Sequence, residues 1–297
     1  MMKDAFSTFH PIVNFTWFTA VLLFSMYFMH PVCLGVSFFC AIAYSVYLNR
    51  EKAIYFNLKY MLPLLIITAL INPAFNHEGG TILTYLYDGN PLTLESIIYG
   101  IAAAVMLISV ICWFSCYNVV MTSDKFVYLF GRVIPSLSLV FSMTLRFVPH
   151  FKAQIGIVSN AQKGVGRDVS NGSLMQRISH GIRILSIMVT WALENAIETA
   201  DSMKSRGYGL PGRTAFSIYR FDKRDKYAMI FILLCTGYII AGSLSGGLYY
   251  RYFPTINGMG AKPYSLSLYI CYLALCIAPV IINIMEDRKW KATQSGI

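Results

Sequence analysis

The chain has 297 residues, 56% of them hydrophobic and only 13% charged, with a mean hydropathy of +0.56. A soluble domain carries roughly twice that charged fraction, so the composition excludes one and indicates an integral membrane protein built mostly of helices. The formal charge of +10 invites a nucleic-acid reading, but thirteen of the 24 Lys and Arg residues fall between positions 146 and 226. Basic residues gathered on one side of a bilayer are the usual cytoplasmic bias, and they also suit anionic headgroups. With no RNA- or DNA-reading motif present, the bilayer is the expected partner and nucleic acid is not.

In chain order, Met1-Met2-Lys3-Asp4 has no cleavable signal pattern, so no processing is expected. Residues 11–29 and 32–48 are apolar runs joined by His30-Pro31, near the short end for spanning a membrane. A basic loop with Arg50, Lys52 and Lys59 follows. The third run, 60–75, contains Pro63 and Asn72-Pro73 and is expected to kink or break at its end. Residues 76–91 hold no Lys or Arg, only His77, Glu78 and Asp88, so this loop should face outward. Thr93 is placed to cap a fourth helix with Glu95 in its first turn, continuing to about Val120.

Lys125 and Arg132 return the chain to the basic side. The apolar stretch 134–148 is short and bracketed by Pro135 and Pro149, with basic residues on both sides. It reads as a half-buried or interfacial segment that does not cross. An amphipathic helix with Phe151, Ile155, Val158 and Ala161 on one face follows and breaks at Gly164-Val165-Gly166. After a turn at 168–172 comes the longest helix. Its apolar stripe of Met175, Ile178, Ile182, Leu185, Val189, Ala192, Ala196, Ala200 and Met203 should pack along another long helix. Ser173 with Gln176 makes a capping box at its start. Gly207 suits the left-handed position at its end, and Pro211 prevents resumption. Some thirty residues at ~1.5 Å each give a rod of roughly 45 Å, whose last turn carries Ser205 and Arg206 as a docking tip.

Residues 227–249 and 265–285 are two further spans, preceded by Arg220, Lys223, Arg224 and Lys226 and followed by Arg288, Lys289 and Lys291. Six crossings put both termini and every strongly basic loop inside. The expected class is an all-α polytopic membrane protein of the cell membrane, with no internal repeat. Residues 1–132 hold about four spans, 133–225 form helical cytoplasmic coupling elements, and 226–297 hold two spans and a short tail.

The chemistry is sparse. No ionisable residue falls in the middle of a span, where one would mark an ion pathway; Asn14 and Asn72 are better explained by hydrogen bonds to neighbouring helices. No His pair has the i, i+4 spacing of a metal face. There is no phosphate-binding loop, so the chain is expected to bind no cofactor and catalyse nothing. The seven cysteines, in apolar runs without a CxxC, read as small core residues. Glu194, Glu198 and Asp201 read as a solvated edge paired with neighbouring Lys or Arg, or as an acidic contact for a basic partner. The distinctive features are two helices that both end in Gly-rich, basic turns: Lys163, Gly164, Val165, Gly166 and Arg167, and then Ser205, Arg206 and Gly207.

These features resemble the transmembrane T component of energy-coupling factor (ECF) transporters, a branch of the ATP-binding-cassette importers. The likeness rests on His10-Pro11, Leu145-Arg146-Phe147-Val148-Pro149, Ala161-Gln162-Lys163 and above all the run from Ala200 through Ser205-Arg206-Gly207 to Tyr208. That run is similar to the second of two Ala-Arg-Gly-type motifs that end the family's coupling helices. The resemblance implies that each Arg docks in a groove of one of two ATPase subunits, which hydrolyse the ATP. It implies too that the helices cradle a membrane-embedded substrate-binding S component, tilting it to import a micronutrient (a vitamin or metal ion). At the first motif Gly164, Val165 and Gly166 stand where Ala, Arg and Gly are expected. Val165 cannot make an Arg's charge-assisted bonds; Lys163 and Arg167 lie within one turn as substitutes, and the two ATPase contacts need not be equal.

Two other readings compete. A conventional ATP-binding-cassette permease would form its own path and carry a Glu-Ala-Ala, three residues, Gly loop, but around Glu198-Thr199-Ala200-Asp201 the Gly position is Lys204. A membrane-embedded enzyme would need a buried acid, base or metal constellation, which the sequence does not offer.

Overall fold

The computed structural model describes residues 4–85, 89–131, 135–208, 219–258 and 262–294. Asp88, Arg132, Ile134 and Pro211, each used in the sequence reading, lie outside the described residues. Contacts divide the chain into two units, residues 1–122 with 219–297, and residues 123–218.

The first unit is a helical membrane bundle. Helices α1 (Pro11–Tyr27) and α2 (Pro31–Asn49) start in the same way. A His occupies the N-cap and Pro the first turn, where its missing N–H costs nothing. The Ile12 N–H donates to His10 Nδ1 (3.3 Å), and the Val32 N–H donates to His30 Nδ1 (3.2 Å).

Helix α3 (Glu51–Phe56) runs through a π-helical turn (Asn57–Met61) into α4 (Leu62–Phe75). The span therefore begins earlier than the apolar run at residue 60 implied. Lys59 is tolerated within it because its ammonium donates to the Tyr55 hydroxyl (2.6 Å) and lies 5.0 Å and 5.6 Å from the Tyr55 and Tyr60 ring centres. Pro73 sits inside α4, which ends at Phe75.

Helix α5 (Leu94–Val120) is capped by Thr93, whose Oγ1 accepts from the Ser96 N–H (3.3 Å). Glu95 accepts from the Thr81 hydroxyl (2.6 Å) and N–H (3.2 Å), tying down the preceding loop. That loop contains a short antiparallel pair, β1 (Ile82–Tyr85) and β2 (Pro91–Thr93), too brief to show in the apolar pattern. Beyond the second unit, α9 (Lys223–Leu244) and α10 (Pro263–Gln294) flank a second pair, β3 (Tyr250–Arg251) and β4 (Asn257–Gly258).

The chain is all-α in class and multi-pass. Of the six expected spans, five helices among the described residues are long and apolar enough to cross: Pro31–Asn49, Ala53–Phe75, Leu94–Val120, Lys223–Leu244 and Pro263–Trp290. The other, α1, has 17 residues, about 25 Å at 1.5 Å per residue against a hydrocarbon core of about 30 Å.

The bundle core is aromatic. Trp17 and Trp113 are fully buried and meet edge-on at 5.5 Å. Each indole N–H has a partner, Trp17 on the Leu275 carbonyl (2.9 Å) and Trp113 on Ser37 Oγ (3.0 Å), which in turn bonds Ser25 Oγ (2.7 Å). Helices α4 and α5 approach so closely at Gly100 that a Cβ there would stand 2.6 Å from the Ala69 carbonyl oxygen. All seven cysteines are free thiols; five are buried, and Cys235 and Cys271 are half-buried. Asn72 Oδ1 accepts from Ser96 Oγ on α5 (3.5 Å), whereas the buried Asn14 reaches back to the Phe9 carbonyl (3.5 Å), ahead of its own helix.

Candidate functional site

The second unit holds α6 (Ser123–Gly131), α7 (Pro135–Gly164) and α8 (Leu174–Ser205). Helix α7 corrects the sequence reading of a separate interfacial segment followed by a new helix after Pro149. It is one 30-residue helix with Pro149 inside it. Proline removes a single backbone bond and crowds one carbonyl, and several helical turns on each side outweigh that local cost. Trp191 of α8 packs between His150 (5.2 Å) and Phe151 (5.4 Å) of α7.

The face of α8 turned inward is also not the expected one. Ile184 and Met188 are buried, with Trp191, Asn195 and Thr199 half-buried along the same stripe, which meets the anticipated one at the half-buried Met203. The anticipated stripe lies beside it and is largely open: Met175 is 78% exposed, Ile182 62% and Leu185 63%. Helical periodicity reports that a face is apolar; it does not report whether the covering surface belongs to the same chain. Glu194, Glu198 and Asp201 are exposed and form no ion pair among the described residues.

Both long helices end in the same hydrogen-bonded turn. At the end of α7 the Gly166 N–H donates to the Lys163 carbonyl (3.0 Å) and the Arg167 N–H to the Gln162 carbonyl (2.9 Å), with Gly166 at φ +77°. At the end of α8 the Gly207 N–H donates to the Lys204 carbonyl (2.9 Å) and the Tyr208 N–H to the Met203 carbonyl (3.0 Å), with Gly207 at φ +75°. These are two Schellman motifs, each satisfying the last carbonyls of its helix by means of a left-handed glycine. Superposing the motifs matches Lys163 with Lys204, Gly164 with Ser205, Val165 with Arg206 and Gly166 with Gly207.

The side chains around the two tips differ. Arg206 is exposed and its guanidinium has no hydrogen bond or ion pair among the described residues. The Ser205 hydroxyl turns back onto the Ser202 carbonyl of its own helix (2.9 Å). Val165, in the position matching Arg206, is 68% exposed. Lys163 is drawn to Asp168 (3.4 Å), and the Arg167 guanidinium, half-buried, has no partner among the described residues.

Asp168 braces the α7–α8 turn, a role its sequence position did not reveal, although Asp-x-Ser is a turn signal. It accepts from the Ser170 hydroxyl (2.7 Å), the Ser170 N–H (3.0 Å) and the Asn171 amide (3.5 Å). The Ser170 donors, helped by the Lys163 ammonium, hold its carboxyl down to about 2. The expected capping box is present: the Ser173 N–H donates to Gln176 Oε1 (3.1 Å) and the Gln176 N–H to Ser173 Oγ (3.5 Å). The Arg177 guanidinium closes the turn on the Val169 carbonyl (2.8 Å). Among the described residues no three His, Cys, Asp or Glu side chains are placed to hold a metal ion.

What this geometry offers is mechanical: a pair of stiff helices with defined ends, each with an Arg in its closing turn that has no partner among the described residues, and a long apolar face that the described residues leave exposed. The family model CbiQ, described as a cobalt transport protein, matches residues 6–216. The "Energy-coupling factor transporter transmembrane protein EcfT" of Lactobacillus helveticus is 25% identical over 215 residues, covering 69% of this chain and 77% of that protein. The protein of the same name from Staphylococcus aureus is 23% identical across 73% of this chain and 85% of its own length. The one from Lactococcus lactis is 32% identical over 111 residues, 37% of this chain and 42% of that protein.

Proposed function

The chain belongs to the CbiQ family of cobalt transport proteins, and on that premise we propose that it is the transmembrane T component of an energy-coupling factor importer. In this reading two ATP-binding-cassette ATPases supply the work, and a separate S component in the membrane binds the transported micronutrient, a vitamin or metal ion. This chain is non-catalytic and converts ATPase motion into movement of the S component. Both termini lie on the cytoplasmic side, where the basic residues gather.

The observation that carries the reading is Arg206, an exposed guanidinium without a partner among the described residues, fixed at the C-cap of a 32-residue helix. At about 1.5 Å per residue that helix is some 48 Å long, so a small displacement at its tip becomes a tilt along its length. Ser205, Arg206 and Gly207 form the main ATPase-docking motif. Lys163 to Arg167 form the altered first one, with Val165 in the Arg position and Arg167 as its available cation. Packed helices shift between discrete arrangements rather than deforming continuously, which suits them to pass on such a displacement.

Affinity purification of the tagged chain from its own membranes tests the assignment. Two ATPase chains and one small apolar membrane protein should accompany it. Recovery with ATPases alone, in a form that transports unaided, would make it a conventional permease.

A further inference from the structure

One carboxylate in the membrane unit holds the starts of two helices. Asp225, in the first turn of α9, is 2% exposed. Its Oδ1 accepts from the N–H of His10, the N-cap of α1 (3.0 Å), and its Oδ2 from the N–H of Asp222, the N-cap of α9 (3.0 Å). Each oxygen thus serves a backbone donor at the head of a different helix. The charge sits at the positive end of both helix dipoles.

The surrounding contacts run in the same direction. The Arg224 guanidinium donates to the Thr8 hydroxyl (3.2 Å) and carbonyl (3.4 Å) and lies 4.2 Å from the Phe9 ring centre. The His10 ring stands edge-on to Phe221 (5.2 Å). Upstream, the buried Phe6 donates its N–H to Asn283 Oδ1 of α10 (3.0 Å). Residues 219–225 are thereby fastened to the N-terminal segment and through it to α10.

Residues 219–225 are also where the chain returns to the membrane unit after residues 123–218. We propose that Asp225 is a positioning residue for energy coupling. Its carboxylate fixes the return segment to α1, so that displacement arriving along the chain is handed to the bundle instead of being absorbed at a loose joint. The proposal rests on the T-component reading. Removing the carboxylate leaves the buried His10 N–H, and the partly buried Asp222 N–H, without that acceptor and frees the two helix heads to slide. The apolar core, with Trp17 on α1 and Ile232 and Ile239 on α9 all buried, keeps the helices assembled.

The test uses the complete complex with its ATPases and S component in lipid, with spin labels at Leu233→Cys on α9 and Ile67→Cys on α4. These positions are 56% and 55% exposed. The distance between labels is measured without nucleotide and with MgATP, alongside ATP hydrolysis. With Asp225 present, MgATP should shift the distance. With Asp225→Ala, the ATPases should remain bound and hydrolysis stay within about twofold, while the shift is lost. Asp225→Asn, which keeps one acceptor oxygen, should retain a reduced shift, and it decides the matter if the Ala variant does not accumulate. A full shift in these variants, or loss of bound ATPases in step with loss of the shift, overturns the proposal. Failure of the unmutated chain to bind ATPases at all would instead defeat the T-component reading.

Discussion

Val165 stands in α7 where Arg206 stands in α8: each is the C-cap residue of its helix, followed by a left-handed glycine and closed by the same pair of backbone hydrogen bonds. The two tips of the second unit therefore share a backbone and differ in the side chain at the C-cap, apolar in one and cationic in the other. Under the proposed docking scheme the α8 tip carries the stronger contact.

Restoring the symmetry is the simplest prediction. Val165 is 68% exposed, so Val165→Arg should leave the turn intact and hold or tighten ATPase association, by up to about tenfold for one added charge-assisted bond. Quantitative co-purification checks it. A strong loss of assembly would show that the first tip docks through an apolar contact that a cation disrupts.

The glycines set how the tips are presented. At Gly207, φ is +75°, and a side chain there costs about 1–2 kcal/mol. Gly207→Ala should fray the last turn of α8 and weaken ATPase association while helix content, read by circular dichroism, stays within a few residues of the unmutated protein. Undiminished association would mean that the turn plays no part in docking.

The two His-Pro starts predict a pH dependence. Burial pushes both His10 and His30 below the usual imidazole range, opposed at His10 by Asp225. Each must stay unprotonated at Nδ1 to accept its backbone N–H. The unfolded chain takes up these protons first, near pH 6.5. Their stabilisation is therefore complete above that pH and lost as pH falls through the lower folded values. The thermal midpoint in detergent should be flat above about pH 7 and fall on acidification. His10→Asn with His30→Asn, which keeps an N-cap acceptor, should flatten the acid side. A midpoint that rises on acidification contradicts this.

In the bundle core, Ser37→Ala removes the acceptor of the Trp113 indole N–H and the partner of Ser25. The expected cost is about 1 kcal/mol, in the range of hydrogen bonds between membrane helices. A lowered midpoint in detergent would show it, and an unchanged midpoint would mean that the indole N–H finds another acceptor.

Local chemistry was legible in the sequence and remote pairing was not. The Ser173 cap, the Thr93 cap and the glycines at both tips are set by neighbours a few residues away, and the sequence spells those out. Pro149 misled because a proline reads as a break, yet the long helix around it tolerates the loss of one bond. The packing face of α8 could not be chosen because two adjacent faces are apolar and only one meets Phe151 and His150. The role of Asp225 was invisible for a simpler reason: its partner, His10, lies 215 residues away.

The most direct test is the charge reversal Arg206→Glu. ATPase subunits should no longer co-purify with the variant and ATP-driven import should be lost, while the chain still reaches the membrane and binds the S component. Recovery of both ATPases at the unmutated yield, with normal import, would contradict the claim that force enters this protein through Arg206.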